Sequence, residues 1–285
     1  MSAAAASPYD ALRCGQGMAM SEARECANCG RGIGGVEQNF CPACGQPTPA
    51  PRIDWRFMRH EFEHTVLQMD RGILYSLREL MLRRGRLMRD YLEGRRARQA
   101  KPLFLLMVMA AVVVFLSRYI LGGGVIDASL PQVDFQAAEA GGGSSLDPAA
   151  MQAAFAAVGD LMDRNFAAFT LLLLPVEAAA FRMAFGRVGR LNYPEWLVIT
   201  AFLTVQAFVL WIIALPLQRW FPYVQSLVMW VGMGYGVFSL VQFFSGYPRW
   251  KSALRAMVGF GAFMLAGGLV TVALVVALLV RVMAG

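Results

Sequence analysis

Residues 102–121 read PLFLLMVMAAVVVFLSRYIL, a stretch in which Arg118 is the one charged side chain. An α-helix rises 1.5 Å per residue, so about twenty apolar residues cross the hydrocarbon core of a bilayer. Similar stretches recur further along the chain, at Asn165–Ala184, Glu195–Leu215, Val224–Phe244 and Ala256–Val280. The sequence therefore predicts an all-α polytopic membrane protein with about five transmembrane helices, bundled over residues 102–285.

The composition supports the same class of protein. The 285 residues are 57% hydrophobic and only 16% charged, whereas about a quarter of the residues in a soluble domain are charged. The excess of apolar side chains is therefore expected to face lipid. The first apolar stretch begins only after residue 100, so we expect the preceding residues to form a separate unit outside the bilayer.

Basic residues crowd the approach to the first span, offset only by Asp90 and Glu93. They are Arg83, Arg84, Arg86, Arg89, Arg95, Arg96, Arg98 and Lys101. Positive charge near span ends stays cytoplasmic, and the loop 122–164, rich in Asp, is expected outside. The sequence thus predicts a multi-pass protein of the bacterial inner membrane, with a cytoplasmic N-terminus and a periplasmic C-terminus. Anionic lipid headgroups attract such basic segments by about 1 kcal/mol per residue, so we expect membrane lipids as partners and no nucleic acid.

Two cysteine pairs precede the spans, Cys26-Ala-Asn-Cys29-Gly and Cys41-Pro-Ala-Cys44-Gly. Four thiolates suit a tetrahedral Zn²⁺, and a glycine after each pair permits a tight turn that frees amides for the sulfurs. We predict a structural zinc ribbon over residues 22–48. A rubredoxin-type iron site uses the same ligands, and disulfides or free thiols are further alternatives, although a cytoplasmic location argues against disulfides. Cys14 falls outside the framework and is expected to be a free thiol.

The residues that flank the ribbon differ in character. Residues 1–21 are expected to be disordered, and residues 53–101 to form an amphipathic, basic helical region. Asp54 and Asp70 are candidate N-caps for its helices, because a carboxylate accepts hydrogen bonds from first-turn amides. The apolar stripe of these juxtamembrane helices fits two arrangements: helices in the plane of the headgroups, or a cap packed under the bundle.

The two histidines of the chain lie in the segment His60-Glu61-Phe62-Glu63-His64. This matches the H-E-x-x-H pattern, in which two imidazoles bind zinc and the glutamate activates water. The charged Glu63 and the lack of a third histidine weaken the comparison. The alternative is a polar helix face, which makes His60, Glu61 and His64 weak catalytic candidates.

Glu177 follows Pro175 inside the second span. A carboxylate at that depth costs a few kcal/mol unless it is paired or hydrated, and therefore marks a candidate solute or proton site. The alternative is a structural pair with Arg182 or another polar group. Gln206, Gln225 and Gln242 are expected to cross-link spans. Asn192 and Glu195 resemble a capping box. Gly232 and Gly236 are expected to pack helices, within the chain or in a homo-oligomer.

The motifs resemble a bacterial family of membrane proteins, the domain of unknown function 3667. The resemblance is carried by the double Cys-x-x-Cys-Gly ending in Cys44-Gly-Gln, by Arg52-Ile53, by Asp70-Arg-Gly-Ile-Leu-Tyr-Ser-Leu-Arg-Glu-Leu and by Tyr91-Leu-Glu-Gly-Arg-Arg. It covers residues 26–110. The family shows Arg-Pro-Gly where this chain has Arg83-Arg84-Gly85, so a looser turn is expected there. The resemblance implies an integral membrane protein with a ribbon, and no reaction.

Three functions are compatible with these patterns. The first is a non-enzymatic scaffold or adaptor that presents a cytoplasmic zinc ribbon to a partner protein or a lipid surface. The second is a small transporter or channel that uses Glu177. The third is a membrane metallopeptidase that uses His60, Glu61 and His64. A closed four-thiolate site favours the scaffold, because it has no open position for a substrate.

Overall fold

The computed structural model describes residues 24–33, 39–48, 50, 52–59, 72–122, 124–125, 148–186, 188–218, 220–221 and 224–284. Two short strands, β1 (Arg24–Glu25) and β2 (Gly32–Ile33), pair antiparallel. The helices are α1 (Ile73–Leu82), α2 (Arg84–Leu92), α3 (Pro102–Leu121), α4 (Pro148–Arg164), α5 (Phe166–Phe185), α6 (Tyr193–Gln218), α7 (Val224–Phe243) and α8 (Arg249–Ala284). A single turn of 3-10 helix, Val188–Arg190, precedes α6.

Five of these helices, α3, α5, α6, α7 and α8, are long and apolar enough to cross a membrane. The predicted all-α polytopic architecture is therefore confirmed. The predicted bounds of α3 match the structure, and those of α5 and α7 differ by one residue. The last helix is longer than its predicted span, because α8 begins at Arg249, seven residues before Ala256.

Successive spans run antiparallel, so their ends fall into two groups. Helices α3, α6 and α8 begin on one side of the bundle, and α5 and α7 end there. We call this side the ribbon end. Its core is aromatic: Phe185 stacks on Phe244 with ring centroids 4.8 Å apart, and Phe181 meets Phe260 edge to face at 4.9 Å. The Trp196 side chain is fully buried among them. These rings fix the relative position of α5, α6 and α8, since offset and edge-to-face contacts favour particular geometries.

Helices α1 and α2 form a hairpin packed against α6 and α7 at the ribbon end. Leu80, Leu87 and Met88 are buried in the main core. The side chain of Gln206 donates a hydrogen bond to the Leu80 carbonyl (3.2 Å), and the Tyr235 hydroxyl donates to the Met81 carbonyl (2.5 Å). The described hairpin therefore packs against α6 and α7, and its contact with Gln206 lies thirteen residues beyond the start of α6.

The corner of this hairpin corrects two expectations. Arg83 alone separates α1 from α2, and Gly85 is buried against α7, so the expectation of a looser turn is wrong. The N-cap position of α1 is Gly72 rather than Asp70, and Asp70 lies outside the described residues. The other predicted cap is confirmed, because the amide of Phe57 donates to the Asp54 carboxylate at 2.8 Å.

Helix α4 begins at Pro148 and packs beside α8. Val158 and Val275 form a small buried cluster between the two helices. An exposed ion pair joins Arg164 to Asp160 one turn earlier, at 2.5 Å. The contact between Val158 and Val275 holds α4 against α8 at the end of the bundle opposite the ribbon end, so part of the predicted outer loop is helical.

Candidate functional site

Two turns of the same shape hold the four cysteines. In the first turn, the amide of Cys26 donates to the carbonyl of Arg31 (2.9 Å), and the amide of Gly30 donates to the carbonyl of Cys26 (2.8 Å). The second turn repeats both bonds from Cys41, at 2.8 Å. Gly30 and Gly45 both have a φ of +71°, a left-handed conformation that glycine adopts without steric cost. The glycines therefore permit the tight turn that the sequence predicted after each cysteine pair.

The four sulfur atoms meet at one point. They all lie within 4.8 Å of one another, with 3.6 Å between Cys26 and Cys44 and 3.7 Å between Cys29 and Cys41. A tetrahedral ion with metal–sulfur bonds of about 2.3 Å would separate its ligands by about 3.8 Å. All four cysteines are free of disulfides. The donor set therefore fits one tetrahedral metal ion, with no position left open for a substrate.

Backbone amides polarise the sulfurs of the second turn. The amides of Ala43 and Cys44 donate to the Cys41 sulfur and lower the pKa of its thiol below the ordinary value. The amide of Gln46 likewise lowers the pKa of Cys44 to about 6. The thiolate is the form of cysteine that binds metal, so these amides favour the ligand form of both side chains.

The second cysteine turn rests on the loop between α2 and α3. Gln46 is 2% exposed, and its side-chain oxygen accepts a hydrogen bond from the Arg96 amide at 3.2 Å. Gly94 has a φ of +91°, and a Cβ atom there would lie 2.8 Å from the Cβ of Ala50. This close approach leaves no room for a side chain between the ribbon and the loop. The cysteine cluster is thus docked on the bundle.

An ion pair holds the segment after the ribbon against the bundle. The Arg52 guanidinium donates to both oxygens of the Glu195 carboxylate, at 2.7 and 3.1 Å, and to the Arg190 carbonyl at 3.2 Å. Glu195 also accepts from the amide of Asn192 at 2.6 Å, which is the reciprocal bond of the predicted capping box. Ile53 is fully buried in the main core. Sequence reasoning missed the ion pair, although it had noted both residues separately.

Five of the eight basic residues before α3 bind other groups of the protein, among them Arg83, which pairs with Glu79 at 3.5 Å. Arg89 donates to the backbone carbonyls of Gln242 and Phe243 and so caps the end of α7. Arg84 stacks on the rings of Tyr235 and Phe238, at 4.3 and 5.0 Å. The others with such contacts are Arg95, which pairs with Asp90 and Glu93, and Arg96, which donates to the Tyr91 carbonyl. Arg83, Arg86 and Arg98 are exposed, and the lipid contact of the basic residues stays a prediction.

The histidine motif lies outside the described residues. The structure describes a helical segment at residues 55–59, which ends one residue before His60. Among the described residues, the one group of Cys, His, Asp and Glu side chains placed to hold a metal is the four-cysteine cluster. The metallopeptidase hypothesis therefore stays a prediction.

Metal stoichiometry tests that hypothesis. We expect one zinc ion per chain in the purified protein, because a single cluster of four thiolates fills one tetrahedral coordination sphere. Elemental analysis against protein concentration measures this value, and a His60→Ala, His64→Ala double variant should retain it. Two zinc ions per wild-type chain, falling to one in the double variant, would instead support a catalytic site at the histidines.

Glu177 lies in α5 and is 6% exposed. The Thr204 hydroxyl of α6 donates a hydrogen bond to its Oε2 atom at 3.0 Å. The predicted alternative partner, Arg182, lies instead 5.9 Å from the ring of Tyr193. Among the described residues, no basic side chain pairs with this carboxylate. Helix α5 continues through Pro175 without a break.

A cavity of about 390 Å³ opens above Glu177 between α5, α6, α7 and α8. Its described lining is apolar and aromatic apart from the Glu177 carboxylate and the hydroxyls of Thr170 and Thr204. Phe166 lies at the opposite end of the lining, eleven residues earlier in α5, so the cavity extends about 16 Å along the helix. The structure thus places the carboxylate at the base of a largely apolar cavity.

The predicted interhelical contacts are confirmed in part. The Gln206 amide group joins α6 to α1, and its oxygen accepts from Ser239 of α7 at 3.0 Å. Gln242 is exposed and contributes its backbone carbonyl to Arg89 rather than its side chain. Gly236 packs against the Phe260 ring, whereas Gly232 borders the cavity. Of the predicted glycine pair, one member therefore serves helix packing.

Together, the fold and the cysteine cluster define a polytopic helical membrane protein with a compact N-terminal unit of four cysteines placed to hold a metal ion. Residues 70–114 match the model of a protein family described as a protein of unknown function (DUF3667). The resemblance to that family is therefore confirmed over the hairpin α1–α2 and the first part of α3. No curated protein matches the chain, and no solved structure does. The family description carries no reaction or ligand.

Proposed function

We propose that this protein is a non-enzymatic scaffold that presents a zinc ribbon at the cytoplasmic face of the bacterial inner membrane. The single observation that carries the proposal is the docking of a closed four-cysteine cluster on the ribbon end of the bundle, through Gln46 and Arg52. A closed site presents a surface rather than a reactive ion. Docking in turn gives that surface a fixed position relative to the bilayer.

The charge at the ribbon end supports the proposed orientation. Exposed Arg83, Arg86 and Arg98 lie where α1, α2 and the loop before α3 meet the bundle. Basic residues next to spans stay on the cytoplasmic side and attract anionic headgroups. The ribbon would then stand at the inner surface, in the compartment where thiolates remain reduced.

The ribbon carries an exposed aromatic side chain beside the metal ligands. Phe40 is 63% exposed and directly precedes Cys41. Exposed aromatic residues on a rigid support are typical anchors of protein interfaces. We therefore assign the partner-binding surface to the second cysteine turn, around Phe40, and propose a protein as its partner.

Site-specific photo-cross-linking in cells tests the scaffold function. A photoreactive residue at position 40 should capture one defined protein, and the same residue at Phe115 of α3, which is 67% exposed, should capture lipid. The protein adduct should disappear when Cys41→Ser is added, because the ribbon then loses its shape. If position 40 yields only lipid adducts or none, the protein-scaffold function is wrong.

The ion pair between Arg52 and Glu195 is expected to hold the ribbon in place. Arg52→Ala leaves the buried Glu195 carboxylate with the Asn192 amide as its described partner. Breaking an ion pair in this way destabilises a protein by about 3–5 kcal/mol when both charged groups are buried. Arg52 is 61% exposed, so solvent screening reduces the expected loss to about 1 kcal/mol. The larger effect should be positional: spin labels at Phe40 and Trp250 should give one narrow distance in the parent protein and a broad distribution in the variant.

A neighbouring arginine provides the control for this prediction. Arg56 is exposed in the same segment, and Arg56→Ala should leave the distance distribution narrow. An Arg52→Ala protein with an unchanged distribution would show that the ribbon docks without the ion pair.

A second candidate function, a small transporter with the ribbon as its regulator, is favoured by the cavity above Glu177. A carboxylate within a span commonly marks a solute or proton pathway. Solute flux into proteoliposomes that is lost in Glu177→Gln would support it. Equal flux in the two proteins would contradict a transport role for this carboxylate.

A further inference from the structure

The Glu177 carboxylate has hydrogen-bonding capacity that the described protein does not use. Its two oxygens offer about four lone-pair positions. Among the described residues their one hydrogen-bond partner is the Thr204 hydroxyl, whose single hydrogen is shared with the Thr200 carbonyl, also at 3.0 Å. A charged group inside a span costs about 2.5–3.5 kcal/mol unless it is paired or hydrated. The carboxylate faces the cavity, because both Glu177 and Thr204 belong to the lining. A partner that neutralises it would therefore be bound from the cavity.

The walls of the cavity favour a positive ligand over a neutral or negative one. Aromatic rings line it on three helices, among them Phe166 of α5, Trp211 of α6 and Phe260 of α8. Ring faces attract cations through their quadrupole. No basic side chain belongs to the described lining. The carboxylate at the base and the aromatic rings therefore have the same preference for positive charge, whereas the donors of the described lining are neutral: the hydroxyls of Thr170 and Thr204 and the indole N–H of Trp211.

The size and surface of the cavity restrict the ligand further. A volume of about 390 Å³ lies in the range of sites for small organic molecules, about 300–1,000 Å³. Apart from Glu177, the two threonine hydroxyls and the indole N–H of Trp211, the described lining offers apolar groups, including the adaptable side chains of Met229, Met233 and Met264. A hydrated metal ion would bury its water shell against apolar groups. A compact organic cation loses much less on entering.

We propose that this cavity binds a small apolar cation, whose charge lies at the Glu177 carboxylate and whose apolar body lies among the aromatic and methionine side chains. The proposal rests on the second candidate function for the choice of site, and it names the ligand class of that site. It concerns equilibrium binding, so it is tested without any measurement of transport.

Tetraphenylphosphonium and tetraphenylborate provide matched probes, because they have nearly the same shape and opposite charge. Binding of each labelled ion is measured by equilibrium dialysis against the full-length protein in nanodiscs, with empty nanodiscs as background. We expect saturable binding of tetraphenylphosphonium, one ion per chain, and no saturable binding of tetraphenylborate. Glu177→Gln should weaken tetraphenylphosphonium binding by about tenfold or more, the effect of losing about 1.4 kcal/mol of attraction.

Two glycines of α7 provide a second, independent test with Glu177 intact. Gly232 lines the cavity, and a Cβ built there meets no atom within 4 Å. Gly232→Leu should therefore fill the cavity without a clash and abolish tetraphenylphosphonium binding. Gly234 is equally unobstructed but exposed and outside the lining. Gly234→Leu should bind the ion as the parent protein does.

Several results would overturn the proposal. Undiminished tetraphenylphosphonium binding in Glu177→Gln or in Gly232→Leu would exclude this cavity as the site. Saturable binding of both ions with equal affinity would show that the site binds ligands through apolar contact alone, regardless of charge. A lipid chain could fill such a site. If the variants lose tetraphenylphosphonium binding as predicted while the parent protein moves no solute, that result supports the cation site and contradicts only the transport function.

Discussion

Replacing Cys41 with serine is expected to remove the metal ion and unfold the ribbon while the helical bundle stays folded. The described residues of the ribbon form almost no apolar core apart from the ligands: Cys26, Ile33 and Cys41 are their buried apolar cluster, with Cys44 packed beside them. A unit this small depends on its metal for stability. Binding of a structural zinc ion contributes about 10–16 kcal/mol to the folding of comparable peptides. The free energy lost with one ligand is therefore expected to exceed the folding free energy of the unit.

Elemental analysis and limited proteolysis measure this effect. The variant should contain no stoichiometric zinc, and a protease should cut it between residues 24 and 48 while the spans remain protected. Cys14→Ser is the matched control, since this cysteine was assigned to the tail, and it should retain metal and protection. A Cys41→Ser protein with a full complement of zinc would contradict the assignment of Cys41 as a ligand.

Replacing Gly85 with alanine is expected to destabilise the contact between α2 and α7 severely. A Cβ atom at Gly85 would lie 2.4 Å from the backbone nitrogen of Phe243 and 2.7 Å from the Ser239 carbonyl oxygen. Backbone atoms do not yield as flexible side chains do, so the two helices must separate. Alanine favours the helix by about 1 kcal/mol over glycine, but overpacking of a tight contact costs about 3 kcal/mol. The overpacking is therefore expected to outweigh the gain in helix propensity.

Thermal unfolding in detergent or nanodiscs measures the net effect. Each kcal/mol shifts the midpoint of a protein of this size by about 2–4 °C, so Gly85→Ala should lower it by several degrees. Gly234→Ala is the control on α7, where a Cβ meets nothing within 4 Å, and it should hold or raise the midpoint. An unchanged midpoint in Gly85→Ala would show that the helices do not approach as closely as described.

Local patterns of sequence predicted the spans and the cysteine cluster. The start of α3 coincides with its predicted start, because Pro102 at the first helical position follows the charged loop directly. The cysteines come together because each pair lies on one turn, and glycine alone adopts the required φ without strain. Both features depend on residues within a few positions of each other, which is the range over which sequence patterns are informative.

Long-range contacts were not predictable in the same way. Arg52 and Glu195 are 143 positions apart, and nothing in either local pattern specifies the other. Arg89, which caps the end of α7, was predicted to contact lipid. The charge pattern alone does not distinguish an arginine that binds a headgroup from one that binds a helix end. The Glu177 carboxylate was singled out by its depth in an apolar span. Its partner Thr204 and the cavity above it depend on how four helices pack.

By itself, the sequence determined which segments of this protein are long and apolar enough to cross a bilayer and which four cysteines come together. Hydrophobic length and local turn geometry are sufficient for both, because each is decided within a single segment. Only the tertiary structure decided where the ribbon docks, how the hairpin α1–α2 packs, and which space Glu177 faces. These depend on the relative positions of helices distant in sequence, and small residues such as Gly85 set those positions through the distance at which two backbones meet.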